Sequence, residues 1–155
     1  FFKMFTLRLF VLSLILFIIF FFDVYGFPQP PSTLNDRPII GILTQPSPHS
    51  LGQFGDKYIA ASYVKYVECA GARVVPVFHN ETQQVLKKTF NSINGLLLPG
   101  GGASIAEDTQ LYQAAHYLFS LAVEANNNGD YFPLSGHCQG YEILSEILTN
   151  DFNIL

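Results

Sequence analysis

The sequence predicts an α/β fold in which a parallel sheet lies between helices on both faces. Strand-like and helix-like segments alternate along the chain, with about 30 residues from one strand to the next. The strand-like segments are continuous apolar runs, which is typical of strands buried on both faces. Glycine-rich turns follow the third and the fourth strand. Both turns should therefore lie at the carboxyl edge of the sheet, where folds of this class bind their ligands.

Four apolar segments predict the strands. The second segment contains Pro76. Proline has no N–H to donate, so we expect this strand to lie at an edge of the sheet or to end there. The strands are expected over residues 38–43, 73–78, 93–98 and 131–134.

Amphipathic patterns predict the helices between these strands. After a loop over residues 44–54, Asp56 is expected to cap a helix that ends at Gly71. A short helix is expected over residues 82–90, and a long one over residues 111–125. The inward-facing residues are expected to be Ile59, Tyr63, Tyr66, Val67 and Ala70 in the first helix, and Val85, Leu86 and Phe90 in the second.

The strongest functional signal is the segment Gly136-His137-Cys138-Gln139-Gly140, which follows the fourth strand and opens another helical pattern. A G-x-C-x-G at a strand-to-helix turn is the cysteine form of the G-x-S-x-G nucleophile elbow. The glycines allow a turn so sharp that a side chain would clash. The N-terminus of the helix that begins here favours the thiolate form of Cys138, through the positive end of the helix dipole and the unpaired N–H groups. Cys138 is therefore predicted to be a nucleophile, and a buried structural cysteine is the alternative.

The turn Pro99-Gly100-Gly101-Gly102 predicts an oxyanion hole. Backbone N–H groups from this turn and from Gln139 would converge on the oxygen of a carbonyl group under attack by Cys138. A phosphate-binding P-loop does not fit, because the downstream Gly-Lys-Ser/Thr is missing. An ordinary flexible turn is the alternative.

None of the four histidines has the sequence context of a general base. His137 adjoins Cys138, but neighbours across a tight turn point apart, so His137 is expected to shape the elbow. His116 falls in the middle of a helix, and His49 and His79 fall in or next to loops. A metal site at His137 and Cys138 would lack a second pair of ligands. We therefore predict no metal and no cofactor.

The amino terminus predicts a secretory signal peptide over residues 1–26, which leaves one domain over residues 27–155. The apolar run over residues 7–22 is shorter than the roughly 20 residues that a membrane-spanning helix needs, although a membrane anchor is the competing interpretation. Asn80 begins an N-glycosylation sequon, which agrees with a secretory route. The net charge is −4 and no cluster of Lys or Arg is present, which argues against a nucleic-acid partner.

Several blocks of the sequence, in order, resemble γ-glutamyl hydrolase, a relative of the class I glutamine amidotransferases. The resemblance implies a flavodoxin-like, class I glutamine amidotransferase-like three-layer sandwich. It also implies a thiol hydrolase that removes γ-linked glutamates from folylpolyglutamates in the lysosome, in the vacuole or outside the cell. The blocks are residues 37–43, 58–68, 70–77, 92–95 leading into 99–101, and 129–133 leading into the elbow.

The resemblance places Cys138 on the nucleophile of the family. The elbow of the family reads Gly-Thr-Cys-Leu-Gly, so His137 and Gln139 replace a threonine and a leucine here. A backbone N–H at Gln139 still serves the oxyanion. The residues expected to bind the oxyanion or the substrate are Gly100, Gly101, Gln139 and Glu142.

The catalytic His of the family and its acidic partner lie in a Trp-His-Pro-Glu-like segment, and these 155 residues contain no such segment. We therefore expect the chain to be the N-terminal part of the enzyme, truncated after the elbow helix, inactive and poorly folded in isolation. The expected partner is the small-molecule substrate, and no membrane contact is expected after signal cleavage. Formation of a homodimer is left as an open alternative. Two rival interpretations also stay open: a non-catalytic secreted binding domain, and a related hydrolase that acts on glutamine amides.

Overall fold

Four parallel strands form the central sheet of the computed structural model, which describes residues 35–151. The predicted signal peptide over residues 1–26 lies outside the described residues. The order of strands in the sheet is β4-β1-β5-β6, and every pair of neighbours is parallel. Numbered along the chain, the strands are β1 (Ile39–Leu43), β2 (Gln45–Pro46), β3 (Lys57–Tyr58), β4 (Arg73–Val77), β5 (Gly95–Leu98) and β6 (Leu134–Gly136).

The four predicted strands are all present, and the prediction for Pro76 is confirmed. Pro76 lies in β4, which pairs only with β1 among the described residues and so forms an edge there. The fourth strand begins at Leu134, three residues later than predicted. Phe132, two residues before this start, bonds elsewhere: the side chain of Asn126 accepts the N–H of Phe132 and donates to its carbonyl oxygen.

The segment between β1 and the first helix is more ordered than predicted. In place of a loop over residues 44–54, strands β2 and β3 form an antiparallel pair around a 3-10 turn, His49–Phe54. The backbone carbonyl of Asp56 accepts a hydrogen bond from the N–H of Ser47 across this pair. The helix therefore starts later, with Ala60 as its N-cap residue, and the prediction that Asp56 caps it was wrong.

Helix α1 (Ala61–Cys69) packs on one face of the sheet. It ends before Gly71, whose φ of 87° confirms the predicted C′ glycine. Val67 and, in part, Tyr63 face the sheet as predicted. Tyr66, which is 61% exposed, and the exposed Ala70 do not, because α1 buries only a narrow stripe.

The other face of the sheet is covered by three helices, α2 (Gln83–Phe90), α3 (Gln110–Asn127) and α4 (Gln139–Thr149). The Thr82 hydroxyl caps α2 by accepting the N–H of Val85, and the Thr109 hydroxyl caps α3 in the same way. Leu86 and Phe90 are buried as predicted, but Val85 is exposed because it lies on the outer side of the first turn of α2.

The core therefore has two parts, one on each face of the sheet, which confirms the predicted three-layer α/β fold. Ile42 and Leu97 face α1, whereas Leu43, Leu96 and Leu98 face the three other helices. Alternate residues of each strand thus point to opposite, equally apolar layers. Within residues 35–151, no helix has the length and apolar character to cross a membrane.

Candidate active site

Cys138 lies between β6 and α4 in a backbone conformation that is strained for any residue with a side chain. Its φ is 52° and its ψ is −119°, and it is the N-cap residue of α4. Such a conformation costs about 1–3 kcal/mol in a non-glycine residue and occurs mainly at functional sites. The side chain is free of disulfides and exposed. The sharp turn therefore presents the Cys138 thiol to solvent at the N-terminal end of a helix.

The two glycines of the elbow are required by close packing of the main chain. A Cβ on Gly136 would lie 2.6 Å from the carbonyl oxygen of Gly140, and a Cβ on Gly140 would collide with the carbonyl oxygen of Leu98. The N–H of His137 also donates to the Leu98 carbonyl, at 3.0 Å. The elbow thus packs directly on the end of β5, the strand that leads into the glycine-rich turn.

The turn over residues 99–102, which we call the glycine loop, lies against Cys138. A Cβ on Gly100 would lie 2.9 Å from Cys138 Cβ and 3.5 Å from Cys138 Sγ. The two glycine-rich turns that the sequence placed at the same sheet edge are therefore in contact. A substrate carbonyl at the sulfur would also meet the backbone of the glycine loop.

Three side chains from other parts of the chain contact the glycine loop or the residue after it. The hydroxyl of Tyr63 accepts the N–H of Gly100 at 2.9 Å. The side chain of Gln45, which is 2% exposed, packs so closely on Gly101 that a Cβ there would lie 2.5 Å from its Cδ and Oε1 atoms. The amide of Gln139 donates to the carbonyl of Ala103 at 2.7 Å. Neither Gln45 nor the Tyr63 hydroxyl was predicted from the sequence to have a role in the site.

Among the described residues, the backbone N–H groups of Gly101 and Gln139 have no hydrogen-bond partner. The N–H of Gly100, in contrast, is occupied by Tyr63. Glu142 lies in the first turn of α4, where a negative charge complements the helix dipole, and its own N–H bonds to the Cys138 carbonyl. Of the expected oxyanion donors, Gly101 and Gln139 are thus the two that remain unpaired.

The histidines are engaged in packing or lie on the surface. The ring of His137 makes edge contacts with Tyr63 at 6.0 Å and with Tyr66 at 5.3 Å between centroids. His79 is buried beside Thr44 Oγ1, which lies 2.9 Å from its Nδ1 atom. Burial lowers the pKa of His79, and the charge of Lys57 lowers it further. Both effects favour the neutral form of the buried His79 imidazole.

A buried carboxyl group lies in α4, two turns beyond the elbow. Glu146 is 6% exposed, and its Oε2 atom has no hydrogen-bond partner. Burial raises the pKa of Glu146, and the negative charge of Glu142 raises it further. Burial and the charge of Glu146 likewise raise the pKa of Tyr112 on α3. Within residues 35–151, no three His, Cys, Asp or Glu side chains are grouped so that they could hold a metal ion.

A strained, exposed cysteine at a strand-to-helix turn, next to a glycine-rich loop at the carboxyl edge of a parallel sheet, is the arrangement of the hydrolases that use a nucleophile elbow. The peptidase C26 family matches residues 38–149 of this chain, which includes every element of the site. The chain belongs to the peptidase C26 family.

Curated relatives agree with this assignment. The chain is 46% identical over 125 residues to gamma-glutamyl hydrolase B of Dictyostelium discoideum, a match that covers 80% of this chain and 36% of the relative. It is 44% identical over 126 residues to the gamma-glutamyl hydrolase of Mus musculus (81% and 39%) and 38% identical over 131 residues to gamma-glutamyl hydrolase 1 of Arabidopsis thaliana (82% and 37%). The aligned part thus spans less than half the length of these relatives.

Proposed function

We propose that the protein is a thiol hydrolase that cleaves the γ-glutamyl bonds of folylpoly-γ-glutamates, with Cys138 as its nucleophile. The observation that carries the proposal is the strained, exposed Cys138 in contact with the glycine loop, in a member of peptidase C26. The names of the curated relatives supply the bond type. The folyl group of the substrate comes from the resemblance described above.

In the proposed reaction, the Cys138 thiolate attacks the γ-carbonyl carbon and forms a tetrahedral intermediate. The N–H groups of Gly101 and Gln139 hold the negative oxygen, a role supported by their lack of other partners. The carbon–nitrogen bond then breaks, the leaving amine takes up a proton, and a thioester on Cys138 remains. Water hydrolyses the thioester to a γ-carboxylate and restores the thiol.

The proton for the leaving amine needs a donor. His137 is packed against Tyr63 and Tyr66 and His79 is bonded to Thr44, so neither is our candidate. The family resemblance assigns this role to a His in a Trp-His-Pro-Glu-like segment, which these 155 residues do not contain. Experiments on activity therefore use protein expressed from the complete coding sequence.

The proposal is tested by replacing each of the two cysteines separately. Cys138→Ala should lower the release of glutamate from a folylpoly-γ-glutamate by a factor of about 10³ or more, because no covalent intermediate can form. Cys69 is also a free, exposed cysteine but lies at the end of α1, so Cys69→Ala is the matched control and should keep full activity. Near-normal turnover by a folded Cys138→Ala protein would overturn the proposal.

Two further measurements, of ammonia release from glutamine and of substrate binding, separate the rival functions. Release of ammonia from glutamine, with no action on γ-glutamyl peptides, would indicate a glutamine-amide hydrolase. Tight binding of the folylpoly-γ-glutamate without turnover would indicate a binding domain.

We also propose that the protein enters the secretory pathway. Asn80 of the sequon is exposed, and its Oδ1 atom accepts a hydrogen bond from Lys57 Nζ at 3.0 Å, which leaves the amide nitrogen available for a glycan. Protein expressed in eukaryotic cells should lose mass on treatment with an N-glycosidase, and Asn80→Gln should reduce that loss by the mass of one glycan. An unchanged mass of the wild-type protein would contradict the proposal.

A further inference from the structure

The glycine loop forms a hydrogen bond with a side chain from the opposite side of the sheet. Tyr63 lies on α1, which packs on one face, whereas the elbow helix α4 packs on the other. The Tyr63 hydroxyl nevertheless reaches the loop and accepts the N–H of Gly100 at 2.9 Å. This hydrogen bond joins two residues that are 37 positions apart.

The loop needs such support because it contains three consecutive glycines, Gly100 to Gly102. Glycine has the widest choice of backbone conformations, so a run of three does not hold one shape by itself. Donors that stabilise an oxyanion act well only if they are already oriented before the reaction begins. The hydrogen bond to Tyr63 fixes the peptide group of Gly100, which is directly followed by the peptide group that carries the N–H of Gly101.

The Tyr63 hydroxyl is itself held in place. Its ring packs partly into the core between α1 and the sheet and makes an edge contact with His137, at an interplanar angle of 83°. His137 precedes Cys138. The same tyrosine therefore contacts both turns of the site, the elbow through its ring and the glycine loop through its hydroxyl.

We propose that Tyr63 is a positioning residue that orients the oxyanion loop through its hydrogen bond to Gly100. The inference rests on the proposed function, because it assigns Tyr63 a part in that reaction. Tyr63 does not need to touch the substrate in this role. It acts through the orientation of the Gly101 N–H.

Tyr66 provides a matched control. It lies on the same helix and also contacts the His137 ring, at 5.3 Å between centroids. Unlike the hydroxyl of Tyr63, that of Tyr66 makes no hydrogen bond within the described residues, and its side chain is 61% exposed. Replacing either tyrosine with phenylalanine keeps the ring, so the two variants differ in the loss of one hydrogen bond.

The first measurement does not depend on activity. Hydrogen exchange of the backbone amides is followed in a peptide that covers residues 96–103. Tyr63→Phe should speed exchange at Gly100 and its neighbours about tenfold, the order expected from one lost hydrogen bond, and Tyr66→Phe should leave it within about twofold of wild type. Equal exchange in all three proteins would overturn the inference.

The second measurement is kinetic. Tyr63→Phe should lower kcat about tenfold and leave KM within about twofold, because the oxyanion forms only in the transition state. The rate at which iodoacetamide alkylates Cys138 should stay within about twofold of wild type, since that reaction develops no oxyanion in the loop. Unchanged kcat, a rise in KM alone, or a parallel fall in alkylation would each overturn the inference.

The two proposals can fail separately. If Cys138→Ala keeps its activity, or if the wild-type protein has none, the proposed function fails and the exchange measurement still decides whether Tyr63 holds the loop. If Cys138→Ala is inactive and Tyr63→Phe equals wild type in exchange and in kcat, only the inference about Tyr63 fails.

Discussion

The elbow and the glycine loop both contain glycines that no other residue could replace without a clash, but the atoms that impose this differ. In the elbow, the atoms nearest to a Cβ on Gly136 or Gly140 belong to the main-chain carbonyl groups of Gly140 and Leu98, and side-chain atoms of Leu144 and Leu98 lie slightly farther away. In the glycine loop, the neighbours of Gly100 and Gly101 include side-chain atoms of Tyr63 and Gln45. The closest contacts of the elbow glycines are therefore with backbone atoms, whereas the closest contacts of Gly100 and Gly101 are with side chains from other parts of the chain.

This difference determines how each turn responds to change. Backbone atoms at the end of a buried strand cannot move without moving the sheet. Side chains can adopt other rotamers, at a modest cost in a packed site. We expect substitutions of the elbow glycines to affect the stability of the whole fold, and substitutions of the loop glycines to affect the reaction more than the fold.

The largest effect is expected for Gly140→Ala. The added Cβ would collide with the Leu98 carbonyl at the end of β5, and neither α4 nor β5 can move without disrupting the packing between them. We expect a loss of about 3 kcal/mol or more in the free energy of unfolding, measured by denaturant titration.

The matched control for this substitution is Gly52→Ala. Gly52 lies in the 3-10 turn with no atom within 4 Å of an added Cβ, so this variant should stay within about 0.5 kcal/mol of wild type. If the Gly140→Ala protein is as stable as the Gly52→Ala protein, the elbow is not fixed by its main-chain contacts.

A smaller loss of stability and a larger loss of activity are expected for Gly101→Ala. The new Cβ would press on Gln45, whose buried side chain has to shift. We expect about 1–2 kcal/mol of lost stability and a fall in kcat, because the Gly101 N–H moves with the loop.

A double-mutant cycle with Gln45→Ala tests the cause. If the clash with Gln45 is responsible, the double variant is more stable than the sum of the single effects predicts, by about 1 kcal/mol. Effects that simply add would contradict the view that Gln45 holds the loop.

The comparison also explains how much of the site was predictable. The elbow was readable because its determinants, two glycines around Cys138 after an apolar strand, lie within five consecutive residues. The contact between the two turns followed from the parallel sheet alone, since both turns leave its carboxyl edge. The roles of Gln45 and of the Tyr63 hydroxyl were not readable, because they depend on side chains brought to the loop by the tertiary fold.

The errors in the fold have the same origin. Aspartate is a favoured N-cap residue, but the backbone carbonyl of Asp56 accepts the N–H of Ser47 across the β2–β3 pair. The helix therefore begins only at Ala61. Tyr66 fits the helical period of the inward face, yet the sheet beside α1 covers only a narrow stripe of that helix. In both cases, tertiary contacts outweighed a local preference.

The strained backbone at Cys138 predicts an effect of intermediate size on stability. The test asks whether a glycine or an alanine variant is the more stable at Cys138, and whether the order is reversed at Cys69. At a φ of 52°, glycine fits better than alanine, so Cys138→Gly should be more stable than Cys138→Ala by about 1 kcal/mol. Cys69 is the control, because it is the last residue of helix α1. There Cys69→Gly should be less stable than Cys69→Ala by about 0.5–1 kcal/mol. The same sign at both positions, in thermal or chemical unfolding, would show that the elbow stores no backbone strain.

The smallest effect concerns the buried polar groups next to the two turns. The loop packs on the neutral amide of Gln45, but the helix of the elbow buries the carboxyl of Glu146, near Glu142 and Tyr112. Because the pKa of Glu146 is raised above its ordinary value of 4.5, the folded state binds the proton of this carboxyl more tightly than the unfolded state does. Its contribution to stability is therefore complete below about pH 4.5 and is lost as the pH rises through the folded-state pKa.

Glu146→Gln removes this dependence, since glutamine stays neutral at every pH. We expect the variant to gain stability over the wild-type protein as the pH rises from 4.5 towards neutrality, in urea titrations at several pH values. The exposed Glu124 on α3 provides the control, and Glu124→Gln should change stability little across the same range. A difference between Glu146→Gln and wild type that is constant with pH would mean that folding does not raise the pKa of Glu146.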